Sequence, residues 1–142
     1  MPAISETHVS VRFYGDDLEP DELTERLGAQ PTSNARKGEI VRSKDGRERT
    51  EKTGRWVFRV ERREPGDLDS QIQELFGALA SDLATWRELS KRHGPDLFVG
   101  LMLRDSNEGI EVGYETLALL TERGITLSLD VYGPIETTTD AV

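Results

Sequence analysis

Apolar and polar positions alternate sharply near both ends of the chain. Between His8 and Tyr14, Val9, Val11 and Phe13 interleave with His8, Ser10, Arg12 and Tyr14, the period of two expected of a strand with one buried face. Ile125, Leu127, Leu129 and Val131 repeat the pattern near the C-terminus, and Trp56, Phe58 and Val60 share one face of a strand over residues 55–62. Residues 97–103 are apolar on both faces, which predicts a central strand. Elsewhere the spacing changes to three and four. Pro20 suits a first helical turn, Asp21 and Glu22 suit its positive end, and Leu23 and Leu27 share a face, so a short helix is expected, closed by Gly28. The seam Leu68, Ile72, Leu75, Phe76, Leu79, Leu83, Trp86 and Leu89 predicts one long helix from Asp67 or Asp69 to Arg92. His93-Gly94-Pro95 stops it. A third helix is expected over residues 114–123, with Leu117, Ala118 and Leu120 facing inward and Gly124 at its end.

The stretch between Pro31 and Trp56 is different. Residues 40–43 suit a short strand, Asp45-Gly46 is a strong two-residue turn signal, and residues 47–52 return, which together predict a hairpin arm. The expected architecture is α+β, with one mixed, mainly antiparallel sheet and helices packed on one face. Its first six main elements would trace a ferredoxin-like β-α-β-β-α-β path, extended by a C-terminal helix and strand. Residues 1–133 are expected to form a single domain, followed by a frayed tail over 134–142.

Composition narrows the classes. The 142 residues include no cysteine, which excludes disulfides and thiolate metal sites and fits a reducing cytoplasm. No apolar run approaches the roughly 20 residues that a membrane-spanning helix needs. MPAISETHV has neither the basic nor the apolar region of a signal peptide, so a cytoplasmic protein is expected. The formal net charge is -9, yet residues 34–63 hold 11 Lys/Arg against 5 Asp/Glu. The rest of the chain has 7 basic and 22 acidic residues, a balance that disfavours nucleic-acid binding because it repels phosphates.

The stretches VRFYGDDLEPDELTERLGAQPTSNARKGE, GRWVF and TLALLTERGITLSLDVYG resemble the bacterial family known as domain of unknown function 4279. The resemblance covers His8 to Gly133. Its most recognisable parts are Leu27-Gly28, Pro31-Thr32, Lys37-Gly38, Trp56 and Asp130-Val131-Tyr132. It implies a stand-alone bacterial α+β domain and carries over no activity and no catalytic residue.

The motifs for catalysis are weak. Gly46 to Thr53 imitates a phosphate-binding loop, but Glu51 stands where a second glycine must let the backbone wrap the phosphate. Lys52-Thr53-Gly54 spells a β-lactamase-type triplet without the S-x-x-K it requires. Asp16, Asp17, Glu19, Asp21 and Glu22 lack calcium-loop spacing and suit a turn and a helix N-terminus. His8 and His93 are the only histidines, too few and too separate for a nucleophilic triad. No cofactor and no metal ligand is expected.

The sheet face opposite the helices carries more information. Alternation places Ser10, Arg12, Tyr14, Ser128, Asp130 and Tyr132 there, with Arg59 from the Trp56 strand and Phe98 and Met102 from the central one. Aromatic bodies with polar tips suit a recognition surface, although a solvated face, or one covered by the arm, would read the same way. The arm adds Arg36, Lys37, Arg42, Lys44, Arg47, Arg49 and Lys52. The expectation is a non-enzymatic binding or interaction module that uses this face and arm for self-association as a homodimer, or for an acidic protein or anionic small molecule. The alternatives are a small enzyme in which Arg12 and Arg59 clamp an anionic metabolite, and an immunity-type protein that blocks a toxin.

Overall fold

A computed structural model describes residues 4–134. The elements in chain order are β1 (Glu6–Gly15), α1 (Pro20–Leu27), β2 (Ser33–Ala35), β3 (Ile40–Arg42), β4 (Glu48–Thr50), β5 (Gly54–Arg59), α2 (Leu68–Gly77), α3 (Leu83–His93), β6 (Asp96–Met102), α4 (Tyr114–Arg123) and β7 (Thr126–Tyr132). The architecture is α+β, with a mixed five-stranded sheet in the order β2-β5-β1-β6-β7 and a separate β3–β4 hairpin. All pairings in the large sheet are antiparallel except β6 with β7. The expected tail lies outside the described residues apart from Pro134.

Alternation sets the buried face. Val9, Val11 and Phe13 of β1, Trp56 of β5 and Leu97, Val99 and Leu101 of β6 are buried together. The Phe13 ring lies edge-on to Trp56 and stacks near Trp86 of α3, which in turn meets Phe76 of α2 edge-on. Trp56 reaches α1 through an Nε1–H bond to Thr24 Oγ1 of 3.1 Å. A buried aromatic cluster therefore joins the middle of the sheet to three helices. Beside it, Gln71 is a buried polar staple. Its Nε2 donates to the carbonyls of Thr7 and Glu61, and its Oε1 accepts from the Thr7 hydroxyl, so no polar group on this side chain is left unpaired.

Three expectations need correction, and one strand was not anticipated. The single long helix is two helices, because Asp82 caps a new N-terminus by accepting from Thr85 N–H and Oγ1–H. The linker between them is tied down by Ala80 N–H bonding to Leu27 O and by Trp86 Nε1–H bonding to Ala80 O. The apolar seam survives the break because Leu79 stays buried within the linker. The unanticipated strand is Ser33–Ala35, which borders β5, while the Ile40 strand pairs within the hairpin that the sequence predicts. On α4 the buried positions are Thr116, Leu120 and Arg123, whereas Leu117 is exposed. The Arg123 guanidinium lies 4.8 Å from the Phe76 ring centroid and 5.8 Å from that of Trp86, which turns this line of residues inward. Finally, Leu129 and Val131 lie on the buried-face side of β7, as expected, but remain 57% and 56% exposed.

Candidate functional site

The open sheet face can be read row by row from the strand register. Tyr14 lies opposite Arg55, Arg12 opposite Val57 and Asp96, and Ser10 opposite Arg59 and Phe98. Phe98 pairs with Ser128, Gly100 with Asp130 and Met102 with Tyr132. Tyr14, Asp130 and Tyr132 thus share one side of the sheet but sit near opposite ends. Met102, beside Tyr132, faces Glu6, eight positions before Tyr14 on β1, a span of roughly 27 Å.

The centre of the face is closed by its own charges. Arg12 makes a two-pronged pair with Asp96, with Nε–Oδ1 at 2.9 Å and Nη2–Oδ2 at 2.7 Å. Its guanidinium also covers the Phe98 ring, 4.1 Å from the centroid. Burial pushes the Asp96 carboxyl up, but hydrogen bonds from Arg12 and Ser128 outweigh this and hold it below the usual carboxylate range. Arg12 is therefore committed within the chain, and the apolar Phe98 surface has a lid. Arg59 remains exposed one row away. At the far end, Tyr132 donates to Asp130 at 2.6 Å, and this bond raises the tyrosine pKa.

The basic arm is also tethered. Arg36 Nε pairs with Glu19 at 2.9 Å and its Nη2 with Asp21 at 3.3 Å, while Lys37 pairs with Asp16 at 3.1 Å. The acidic turn before α1 thereby docks the base of the arm. The Lys37 bond is the main reason the Asp16 carboxyl titrates low. Nearer the tip, Arg42 pairs with Glu48 and Arg47 with Asp45. Among the described residues no group of three or more His, Asp or Glu side chains is placed to hold a metal ion.

The two regions meet at one place. Tyr14, Arg49, Thr50, Glu51, Lys52, Thr53 and Arg55 line an open groove of about 530 Å³ where the arm returns to the sheet. The fold creates it through close backbone approach. A Cβ on Gly54 would stand 2.7 Å from the Gly15 carbonyl oxygen, so only glycine lets the arm join β5 directly against the end of β1. Glu51 bridges two cations, with Arg55 Nη1 at 2.7 Å and Arg49 Nη2 at 3.3 Å. The Arg55 hydrogen bond in particular keeps the Glu51 carboxyl below its ordinary range. Two cations pair with this carboxylate and Lys52 also lines the groove, which leaves it cationic, and the half-exposed Tyr14 ring forms its wall.

A family model for a domain of unknown function, DUF4279, matches residues 5–134. The chain belongs to the DUF4279 family. No curated protein and no solved structure matches it.

Within this DUF4279 chain, the anticipated residues divide between places. Tyr14, Arg49 and Lys52 gather at the groove, and Arg12 and Arg59 occupy the middle of the sheet face. Asp130 and Tyr132 lie on the outer strand, Arg36 and Lys37 brace the arm, and Arg42 and Arg47 ride on its hairpin. The sequence reading missed Thr50, Glu51, Thr53 and Arg55 as lining residues. Arg55 was accessible from alternation alone, being two positions before Val57 and four before Arg59 on the open face. Asp96 as the partner of Arg12 depended on the β1–β6 register, which no local pattern encodes.

Proposed function

We propose that this chain is a non-enzymatic binding module that takes an anionic group, carried by an acidic protein or a small molecule, in the groove between its basic arm and the sheet. The carrying observation is that Arg49 and Arg55 share Glu51 in a groove that Lys52 and Tyr14 also line. Arg49 and Arg55 are held by an acid they share, which pre-orients them for a second anion. Tyr14 supplies an apolar wall with a polar tip. A foreign partner is favoured over dimerisation of arm to acidic body, because Asp16, Glu19 and Asp21 already bind Arg36 and Lys37 of the same chain. The enzyme alternative is weakened at Arg12, where Asp96 occupies both prongs that a substrate clamp would use.

The strand order supports reading β1, α1, β2, β5, α2–α3 and β6 as a ferredoxin-like path with its helices on one face, extended by α4 and β7. In that frame the arm is an insertion between the second and third strands of the path, and the groove forms where the insertion rejoins.

The test is calorimetric titration with a poly-glutamate peptide and with inorganic pyrophosphate, at low and high salt. Binding should weaken as salt rises, and Arg49→Ala with Lys52→Ala should lower affinity by roughly tenfold or more while leaving the thermal transition in place. If neither probe binds at low salt, or the double variant binds as well as the parent, the reading is wrong.

A further inference from the structure

We infer that β7 is a homodimer seam, pairing antiparallel with β7 of a second copy to continue the sheet across a two-fold axis. This goes beyond the anion-binding reading and uses the opposite edge of the sheet. Leu103 N–H donates to Tyr132 O at 2.9 Å and Thr126 N–H to Pro95 O at 3.3 Å, so the even-numbered residues of β7 turn their backbone groups toward β6. Leu127, Leu129 and Val131 therefore turn their N–H and C=O groups outward, a ladder with no partner strand among the described residues. The edge bears none of the usual protection. Over seven residues it has no proline, lysine or arginine, and Asp130 is its only charge.

The sequence of the edge is complementary to itself. A two-fold axis perpendicular to the sheet keeps the buried-face sides together, so odd residues must pair with odd residues. Centring the axis on Leu129 sets Leu129 against its own copy and Leu127 against Val131, all on the apolar side. On the other side it sets Asp130 opposite the small, uncharged Ser128. Sliding one copy so that Asp130 faces Asp130 would oppose like charges at the closer, non-hydrogen-bonded spacing. The favoured register thus buries Leu129 and Val131, each more than half exposed in one chain, and keeps the two carboxylates apart. A foreign acidic segment would meet the Asp130 carboxylate and a basic one would find only that single charge, whereas an identical strand matches apolar with apolar residues along the buried-face side.

Because the chain contains no cysteine, single-cysteine variants report the contact directly. Sedimentation equilibrium of the purified chain should show a dimer in the micromolar range. Leu129→Lys, which places two cations together on the axis, should raise the dissociation constant by roughly tenfold or more with an unchanged circular dichroism spectrum. Leu129→Cys should form a disulfide dimer on mild oxidation, since facing Cα atoms about 5.5 Å apart lie within disulfide range. Tyr132→Cys should not, because its copy lies roughly 20 Å along the seam. A chain that stays monomeric at high concentration, a Leu129→Lys variant that dimerises like the parent, or equal cross-linking at positions 129 and 132 each overturns the proposal. Loss of anion binding with the dimer intact would count against the groove alone.

Discussion

At one edge of the sheet stands β2, three residues long, followed at once by Arg36 and Lys37 and the charged hairpin. At the other stands β7, seven residues long, with Leu129 and Val131 uncovered. The first edge is short and flanked by ionic contacts, which is how edge strands are commonly kept from pairing with other chains. The second is longer and nearly uncharged. The contrast explains the charge segregation. Cations concentrate where the chain leaves and re-enters the sheet, and their field is partly cancelled by the acidic turn that anchors them. The two edges would therefore recognise by different physics, one by screened electrostatics and the other by backbone pairing and apolar burial.

The contrast breaks most visibly in the core beneath the arm. Trp56→Ala should cost about 3–5 kcal/mol, because it empties a fully buried site and strands the Thr24 hydroxyl. Leu129→Ala, measured in dilute monomeric protein, should cost under about 1 kcal/mol. Equal losses in chemical denaturation would mean that the β7 edge is packed in a way its exposure denies. Gly54→Ala should come next, at about 1–3 kcal/mol, since the new methyl meets the Gly15 carbonyl rather than a flexible side chain. The same substitution should weaken pyrophosphate binding by displacing the base of the arm, and an unaltered titration would separate the groove from Gly54.

A pH effect is expected at the top of β1. His93 is buried against Gly15, and neither ring nitrogen has a hydrogen-bond partner among the described residues. Burial lowers its pKa, assisted by Arg92, against the opposing pull of Asp17 and Glu22. The folded chain therefore binds this proton less readily than the unfolded chain. The stabilisation is complete above the unfolded histidine value of about 6.5 and is lost as pH falls through the lower folded value. Melting temperature should fall between pH 7 and pH 5 more steeply in the parent than in His93→Gln. Parallel curves would show that His93 is not the group responsible. The smallest effect is expected from Arg36→Ala, under about 1 kcal/mol, because both of its ion pairs are exposed and screened. A larger loss would show that the arm is part of the folding core and not an attachment to it.

Much of the fold was legible in residue order. Alternation located β1, β5 and β7, a run apolar on both faces located β6, and helix-end signals located α1 and α4, with Gly28 and Gly124 in the left-handed conformation that suits a glycine stop. The break between α2 and α3 was legible in Ser81-Asp82-Leu83, an N-cap signal outweighed by an uninterrupted apolar seam. β2 was not legible. Three residues carry no periodicity, and Ser33–Ala35 becomes a strand only because β5 offers unpaired backbone groups beside it. For the candidate site, the arm and Tyr14 were visible separately. Their meeting was not, because it depends on Gly15 lying opposite Gly54.

Residue order by itself determined which positions are apolar, where helices stop, and that positive charge collects in one stretch. These are local properties, fixed by side-chain chemistry over a few residues. Tertiary structure decided that Arg12 is spent on Asp96, that the arm is braced by the acidic turn, and that β7 is the last strand of the sheet among the described residues. Each of these depends on which strands lie side by side. That choice balances loop-closure entropy against burial over the whole chain, and it is a sum that no short stretch of sequence contains.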